Sequence, residues 1–189
     1  MRAALPLGLF VRCAATRDLS AIAALAAQRS GAAFENCLQS VEEQFGSDTE
    51  RGHLTLIAEM DCGLLGFGRA RHVGTPIDAD SVPTGWYLLG VIVAPALRRR
   101  GIASELTRLR VEWIGRRADE AFYFANSLNL PSIDLHQKLG FVEVQRPFAF
   151  PGAQFSGGGV GVLFRAPLIA CGLPHSAKPA GPPFSSTDP

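Results

Sequence analysis

The most informative stretch of the chain reads VIVAPALRRRGIASEL and covers residues 91–106. An apolar run that begins at Leu88 ends before Pro95, and three arginines then precede Gly101. From Ile102 onward the apolar residues follow a helical spacing. The order therefore predicts a strand, a basic turn that contains glycine, and the first turn of a helix.

A turn of this kind suits the binding of a pyrophosphate. The first N–H groups of a helix lack partners within the helix and carry partial positive charge. Small residues in the turn let phosphate oxygens approach those N–H groups, and the arginine side chains add a cationic rim. The candidate phosphate-binding residues are therefore Arg98, Arg99, Arg100, Gly101, Ile102, Ala103 and Ser104.

Two other interpretations of the three arginines remain open. They can form a solvated basic turn that binds nothing. A nucleic-acid-binding patch is the weaker alternative, because the charge cluster is short and no aromatic residues interleave it.

Two motifs in the chain resemble those of one known family. Arg98-x-x-Gly101-x-Ala103 matches the (Arg/Gln)-x-x-Gly-x-(Gly/Ala) signature of the GNAT superfamily of N-acetyltransferases. Residues 129–141, NLPSIDLHQKLGF, resemble that family's N-x-x-(Ala/Ser)-hydrophobic-x-L-(Tyr/His)-x-K-L-G-F segment. The two motifs occur in the family's order and at roughly its separation, and the resemblance covers residues 8–168.

The resemblance implies a fold and a reaction. The fold is α/β, with a mixed, mostly antiparallel sheet flanked by helices and two central parallel strands that splay apart, here residues 87–93 and 121–125. The reaction is transfer of the acetyl group of acetyl-CoA directly to an amine of a small molecule or protein. The pantetheine arm then lies along the backbone of Ile92 and Val93, which pairs with it like an added strand. Core packing of these two side chains is compatible with that role.

The second motif supplies the candidate catalytic residue, His136. In the family this position is often tyrosine, faces the cofactor sulfur and can donate a proton to the leaving thiolate. Imidazole suits such a role because its ordinary pKa lies near neutrality. A helix-surface histidine without a catalytic part is the alternative interpretation. Asn129, which precedes the helix, is expected to cap it, to contact the cofactor, or both.

The general base is not evident from the sequence. An ammonium substrate must lose a proton before it attacks a thioester, yet the predicted strand over residues 87–93 carries no carboxylate. Glu59 and His72, near the ends of earlier strands, are candidates, and a chain of water molecules is the alternative. The missing carboxylate also keeps open a second function, a catalytically silent acyl-CoA-binding regulatory module.

Composition fits one globular domain. The chain has 189 residues and a formal net charge of +1, so it is long enough for a single core and shows no bias toward polyanions such as nucleic acid. No apolar run reaches the length of a membrane span, so we expect no membrane partner. We expect a cytoplasmic protein without a metal, and we allow for a homodimer. Reduced thiols, in spacings that fit no zinc or redox motif, are expected at Cys13, Cys37, Cys62 and Cys171.

The remaining pattern predicts alternating strands and helices. Strands are expected at residues 9–14, 54–59, 64–71, 87–93, 121–125, 141–148 and 160–168. Helices are expected after Thr16, over residues 34–45 with an end at Gly46, from Ile102 and over residues 132–139. Residues 3–11 resemble a secretory signal, but Arg12 ends that run early, which favours a tail leading into the first strand.

We expect residues 171–189 to form a disordered tail outside the predicted acetyltransferase domain of residues 1–170. Their composition shifts to Pro, Ser, Ala and Gly, with Leu173 and Phe184 as the main apolar side chains. Such a segment buries too little surface to offset the entropy of ordering it, which predicts disorder. The alternative is a segment that folds over the acceptor pocket or onto a partner subunit.

We expect that deletion of every residue after Ala170 leaves the melting temperature and the affinity for acetyl-CoA unchanged, because a disordered tail contributes no packing. Thermal unfolding and calorimetric titration of the full and shortened chains measure both quantities. A fall of several degrees in the melting temperature would show that the tail packs against the domain.

Overall fold

A seven-stranded sheet with helices on both faces is the architecture of the computed structural model, which describes residues 5–51, 53–74, 82–155 and 157–168. The strands are β1 (Phe10–Cys13), β2 (Leu54–Met60), β3 (Gly63–Val73), β4 (Gly85–Val93), β5 (Glu120–Asn126), β6 (Val142–Gln145) and β7 (Gly161–Pro167). The helices are α1 (Leu19–Ser30), α2 (Phe34–Arg51), α3 (Ile102–Gly115) and α4 (Leu130–Gln137).

The order of strands in the sheet is β1-β2-β3-β4-β5-β7-β6. Within the described ranges, β4 and β5 form the one parallel pair, and all other neighbours are antiparallel. Helix α3 connects these two parallel strands, as a crossover must. The predicted fold class, a mixed and mostly antiparallel sheet flanked by helices, is confirmed.

The two parallel strands share only a short stretch of pairing. Tyr87 lies opposite Phe122 and Leu88 opposite Tyr123, and the pairing stops there. On its other edge β4 pairs with β3 over nearly its whole length, with a bulge that leaves Gly90 without a register partner. Gly90 has a φ of 34°, a conformation that side-chain-bearing residues rarely adopt. The predicted separation of the two central strands is therefore confirmed, and it begins at this bulge.

The alternation of side chains along β2 explains the placement of the helices. Leu56 and Ala58 belong to a buried cluster that includes Ile102 and Leu106 of α3. Ile57, between them in sequence, instead packs in a cluster with residues of α1. Successive side chains of a strand point to opposite faces, so α1 covers one face of the sheet and α3 the other.

Several predicted boundaries differ from the structure by a few residues, and three of the differences have a clear physical reason. Helix α2 continues through Gly46 to Arg51, since one helical glycine costs only about 1 kcal/mol. Helix α4 begins at Leu130, because Pro131 is well tolerated in a first helical turn. Strand β6 ends at Gln145, two residues before Pro147, which has no N–H to extend the ladder.

The structure does not describe the predicted tail, and it bears on the predicted lack of membrane spans and metal sites only for the residues it describes. The tail of residues 171–189 and the boundary at residue 170 lie outside the described residues, as does Cys171. Among the residues that the structure describes, no helix is both long and apolar enough to cross a bilayer. In the same part of the chain, no three His, Cys, Asp or Glu side chains are grouped so that they could hold a metal ion.

Candidate active site

A cleft of about 370 Å³ opens where β4 and β5 separate. Its walls come from the two strands, its floor from α3, and one side from α4 and the turn before it. Residues 29 and 30 at the end of α1 close another side. The other lining residues are Leu88, Gly90, Val91, Ile92, Arg110, Tyr123, Phe124, Ala125, Asn129, Ser132 and His136.

A second cleft, of about 240 Å³, lies between the sheet and the helices α1 and α2. Most of its lining is apolar, and its polar lining residues are Asn36, Ser40, Gln44, Thr55 and Arg69, with Cys37 beside them. The two clefts share Gly90 and Ile92 and therefore meet at the β4 bulge.

The exposed edge of β4 lies along the first cleft. Beyond Leu88 this edge has no pairing with β5, so backbone groups that point along it can pair with a ligand, apart from the carbonyl oxygens that Arg98 and Arg110 already contact. Of the two residues predicted to pair with a pantetheine arm, Ile92 lines the cleft, whereas Val93 is buried at the end of β4 and is not among the lining residues. Val93 also accepts a hydrogen bond through its carbonyl oxygen from Nε of Arg98, at 3.3 Å.

The basic turn adopts a conformation that exposes backbone donors. Arg99 has a φ of 63° and Gly101 a φ of 78°, so two left-handed residues surround Arg100. Gly101 is the N-cap of α3, and no side chain caps the helix. The first N–H groups of α3, on residues 102–104, therefore lack helical acceptors.

The side chains of the predicted phosphate-binding residues fall into distinct environments. Arg99 and Arg100 are exposed, as is Ser104. Arg98 is also exposed and bends back toward the end of β4 through its bond to Val93. Ile102 is 1% exposed and packs in the core, so only its backbone N–H faces the turn. Ala103 and Gly101 are half-buried.

His136 is buried against the wall of the first cleft. Its side chain is 2% exposed, and its ring stacks on Tyr123 with the ring centroids 3.5 Å apart. Nδ1 lies 2.8 Å from the carbonyl oxygen of Ser132, one helical turn earlier. A carbonyl can only accept, so the hydrogen is assigned to Nδ1 and a lone pair to Nε2. His136 is thus an inward-facing residue, not one on the solvent surface of α4.

Burial also sets the charge of this ring. Desolvation, with a smaller contribution from the nearby cation of Arg110, lowers the pKa of His136 to about 3, although the hydrogen bond to Ser132 opposes this change. The imidazole is therefore neutral at physiological pH. The hydroxyl of the stacked Tyr123 donates to Oγ of Ser132 at 2.7 Å, and burial raises its pKa to about 12. Both aromatic groups thus stay uncharged.

Asn129 lies at the entrance of α4 and lines the cleft. Its side chain makes no capping hydrogen bond, so the predicted capping role of the side chain is not observed. Its carbonyl oxygen instead accepts from the N–H groups of Ser132 and Ile133. The exposed amide is left facing the cleft.

Neither sequence candidate for the general base lines a cleft. The carboxylate of Glu59 accepts from Nε and Nη2 of Arg12 at 2.7 and 2.9 Å, so its oxygens are already engaged. His72 packs edge-on against Trp86 at 5.2 Å between ring centroids. Among the described lining residues of the two clefts, none is a carboxylate.

Arg110 is a site residue that sequence reasoning missed. It is 1% exposed and contributes to the floor of the first cleft. The signal was present in the helical pattern of α3. Ile102, Leu106, Arg110 and Ile114 recur at intervals of four and are all buried, which places an arginine at a core position.

Comparison with known proteins agrees with this geometry. A model of the acetyltransferase (GNAT) family matches residues 19–141. No curated protein sequence matches the chain. Among solved structures, yncA from Salmonella typhimurium, determined with its cofactor acetyl-CoA, has a TM-score of 0.67 at 17% identity. That alignment covers 90% of this chain and 99% of the other.

Two further structures are similar at comparable levels. A ribosomal-protein-alanine N-acetyltransferase from Brucella melitensis has a TM-score of 0.63 at 21% identity, with 84% of this chain and 99% of the other covered. A phosphinothricin acetyltransferase of the GNAT superfamily from Sinorhizobium meliloti, in complex with acetyl-CoA, has a TM-score of 0.66 at 16% identity. That alignment covers 86% of this chain and 89% of the phosphinothricin acetyltransferase. At these identities the likeness establishes a shared fold.

We expect the His136 imidazole to show no titration between pH 5 and 8, because its pKa is about 3 in the folded chain. The unfolded chain, with a histidine pKa of about 6.5, binds the proton more readily, so this residue lowers the free energy of unfolding as pH falls below about 6.5 and has no such effect above it. Imidazole NMR resonances, assigned with a His136→Phe variant, measure the titration. A midpoint between pH 5 and 7 would contradict the buried neutral ring.

Proposed function

The chain belongs to the GNAT acetyltransferase family, and we propose that it transfers the acetyl group of acetyl-CoA directly to an amine of a small molecule or protein. The observation that carries this proposal is the meeting of two clefts at the β4 bulge, with Gly90 and Ile92 common to both. An acyl donor in the cleft between β4 and β5 and an amine in the cleft beneath α1 and α2 would approach each other there.

Three parts of the structure fit acetyl-CoA, although the basic turn lies outside the described lining of the first cleft. The uncapped N–H groups of residues 102–104 and the exposed cations of Arg99 and Arg100 suit the pyrophosphate. The unpaired edge of β4 near Ile92 and Val93 suits the amide groups of the pantetheine arm. The amide of Asn129 supplies one more polar contact beside the arm.

To catalyse this reaction the protein must position the amine against the thioester and stabilise the charges that form. The amine nitrogen bonds to the thioester carbon, the carbon–sulfur bond breaks with its electron pair on sulfur, and the amine loses a proton. No carboxylate is present among the described lining residues to take that proton, so we propose that it leaves through water.

The proton-donor role predicted for His136 remains to be tested. Its surroundings weigh against that role, because a neutral ring with its hydrogen on Nδ1 has no proton on Nε2 to give. We therefore propose that His136 shapes the cleft wall through its stack on Tyr123, and that the thiolate leaves without a proton from this ring.

A silent acyl-CoA-binding regulatory module is the second candidate function. The absence of a carboxylate from the described lining of both clefts favours it, since no side chain there is an evident base.

The free thiols of Cys13, Cys37 and Cys62 are compatible with a reducing compartment, and we propose that the protein acts in the cytoplasm.

We expect Gly101→Glu to abolish binding of acetyl-CoA, because it adds a negative charge and a side chain to the turn that would hold the pyrophosphate. Calorimetric titration measures the affinity. Gly152→Glu is the matched control, since Gly152 has a φ of 77°, lies in open space and lines neither cleft. Equal affinity in a folded Gly101→Glu variant and the wild type would refute the assignment of the turn.

We expect amine-dependent release of free thiol from acetyl-CoA when a panel of small amines and peptide N-termini is assayed. In the same assay His136→Phe should lower turnover less than about tenfold, whereas loss of a general acid typically costs about a hundredfold or more. Binding of acetyl-CoA without thiol release for any amine would favour the silent module. A loss of a hundredfold with intact affinity would restore His136 as the proton donor.

A further inference from the structure

The guanidinium of Arg110 is a buried cation with no carboxylate partner. The side chain is 1% exposed, and among the described residues no Asp or Glu forms an ion pair with it. Burial lowers its pKa to about 9, and the cation of Arg69 on β3 contributes to the decrease. Arg110 therefore remains charged at neutral pH, at a place where a lone charge is costly.

Backbone carbonyls hold this cation in place. Nε donates to the carbonyl oxygen of Leu106 at 3.1 Å, and Nη1 to those of Arg69 at 2.9 Å and Leu89 at 3.2 Å. Nη1 is also 3.5 Å from the carbonyl oxygen of Gly90, the bulge residue shared by the two clefts. The charge thus lies at the point where β4 and β5 separate.

The neighbouring strand leaves room for the guanidinium. A Cβ atom at Gly68 of β3 would lie 2.8 Å from Cζ and 2.9 Å from Nε of Arg110, too close for real atoms. Only a residue without a side chain fits at position 68 while Arg110 keeps this conformation.

One of the two N–H hydrogens on Nη2 of Arg110 has no acceptor among the described residues. Nη2 carries two hydrogens and makes a single hydrogen bond, to Oγ1 of Thr107 at 2.9 Å, in the part of the chain that the structure describes. Because Arg110 lines the cleft together with Gly90 and His136, an anion in this part of the cleft would meet a positive charge that dipoles surround but that no described carboxylate neutralises.

We propose that Arg110 stabilises the negative charge that develops on the sulfur of coenzyme A when the acetyl group leaves. The inference rests on the proposed function and deepens it, since it names the group that favours departure of the thiolate. A fixed cation in a site of low dielectric acts strongly on charge that appears during the reaction.

The step balances without a proton donor. The bond between nitrogen and the acetyl carbon forms, the carbon–sulfur bond breaks, and its electron pair stays on sulfur as a thiolate. Arg110 gives up no proton, and the proton of the amine passes to water. This accounts for a neutral His136 at the position where the family often has a tyrosine.

The other ionisable groups near this end of the cleft cannot take the same role. His136 on α4 and Tyr123 on β5 are both uncharged, as their pKa values require. Arg69 on β3 lines the second cleft instead. Arg29, at the end of α1, also lines the first cleft, but its side chain is exposed and solvent screens its charge. Arg110 is therefore the buried cation of the first cleft.

The experiment compares the affinities of free coenzyme A and acetyl-CoA by calorimetry between about pH 6 and pH 8.5. Only free coenzyme A has a thiol, so the ratio of the two affinities isolates the ionisation of that thiol from other groups. An opposite charge within about 4–6 Å lowers the pKa of an acid by about 1 to 3. We expect the ratio to rise at least about tenfold with pH in the wild type, and to stay nearly flat in Arg110→Met.

Two variants separate charge from packing. Arg110→Lys keeps a cation and should retain part of the rise. Arg108→Met is the matched control, because Arg108 lies on the same helix but pairs with Glu105 and Glu112, and it should keep the wild-type ratio. Circular dichroism checks that each variant folds. Should Arg110→Met not fold, the wild type and Arg110→Lys still decide the outcome.

Each outcome bears on the proposal. A ratio that does not change with pH in the wild type overturns it, as does an equal rise in a folded Arg110→Met variant. If the chain acetylates amines but the ratio of the two affinities does not change with pH, this inference fails and the proposed function stands. If neither form of coenzyme A binds, both fail.

Discussion

The early separation of β4 from β5 is the constraint on which the rest of the structure depends. Two parallel strands that pair at only two positions leave the edge of β4 without its hydrogen bonds. The backbone groups of such an edge must find other partners, which a ligand, water or a side chain can supply. The two clefts adjoin at the bulge at Gly90, where the strands begin to separate.

The strand, turn and helix around residues 91–106 could be predicted because their signals are local. A proline ends the strand, glycine permits the left-handed turn, and the apolar spacing marks the helix. The position of His136 also followed from sequence, but its charge did not. Its low pKa depends on a ring of β5 and on a cation from α3, and no sequence spacing shows that these meet.

The boundaries and the buried arginine were missed for different physical reasons. The end of β6 follows from the missing N–H of Pro147, which the apolar pattern of residues 141–148 obscures. Arg110 was overlooked because an arginine on a helix is usually solvated. Only the packing of α3 against the sheet shows that the carbonyls of Arg69, Leu89 and Leu106 converge on the guanidinium and replace water around it.

The close approach of Gly68 to Arg110 has a consequence for how this chain can vary. A side chain at position 68 and a guanidinium at position 110 exclude each other, so the two positions, on different elements, are epistatic. Loss of the arginine would open space for a larger residue at position 68, whereas the reverse order of changes passes through a clashing intermediate. The order in which the two positions can mutate is therefore set by geometry.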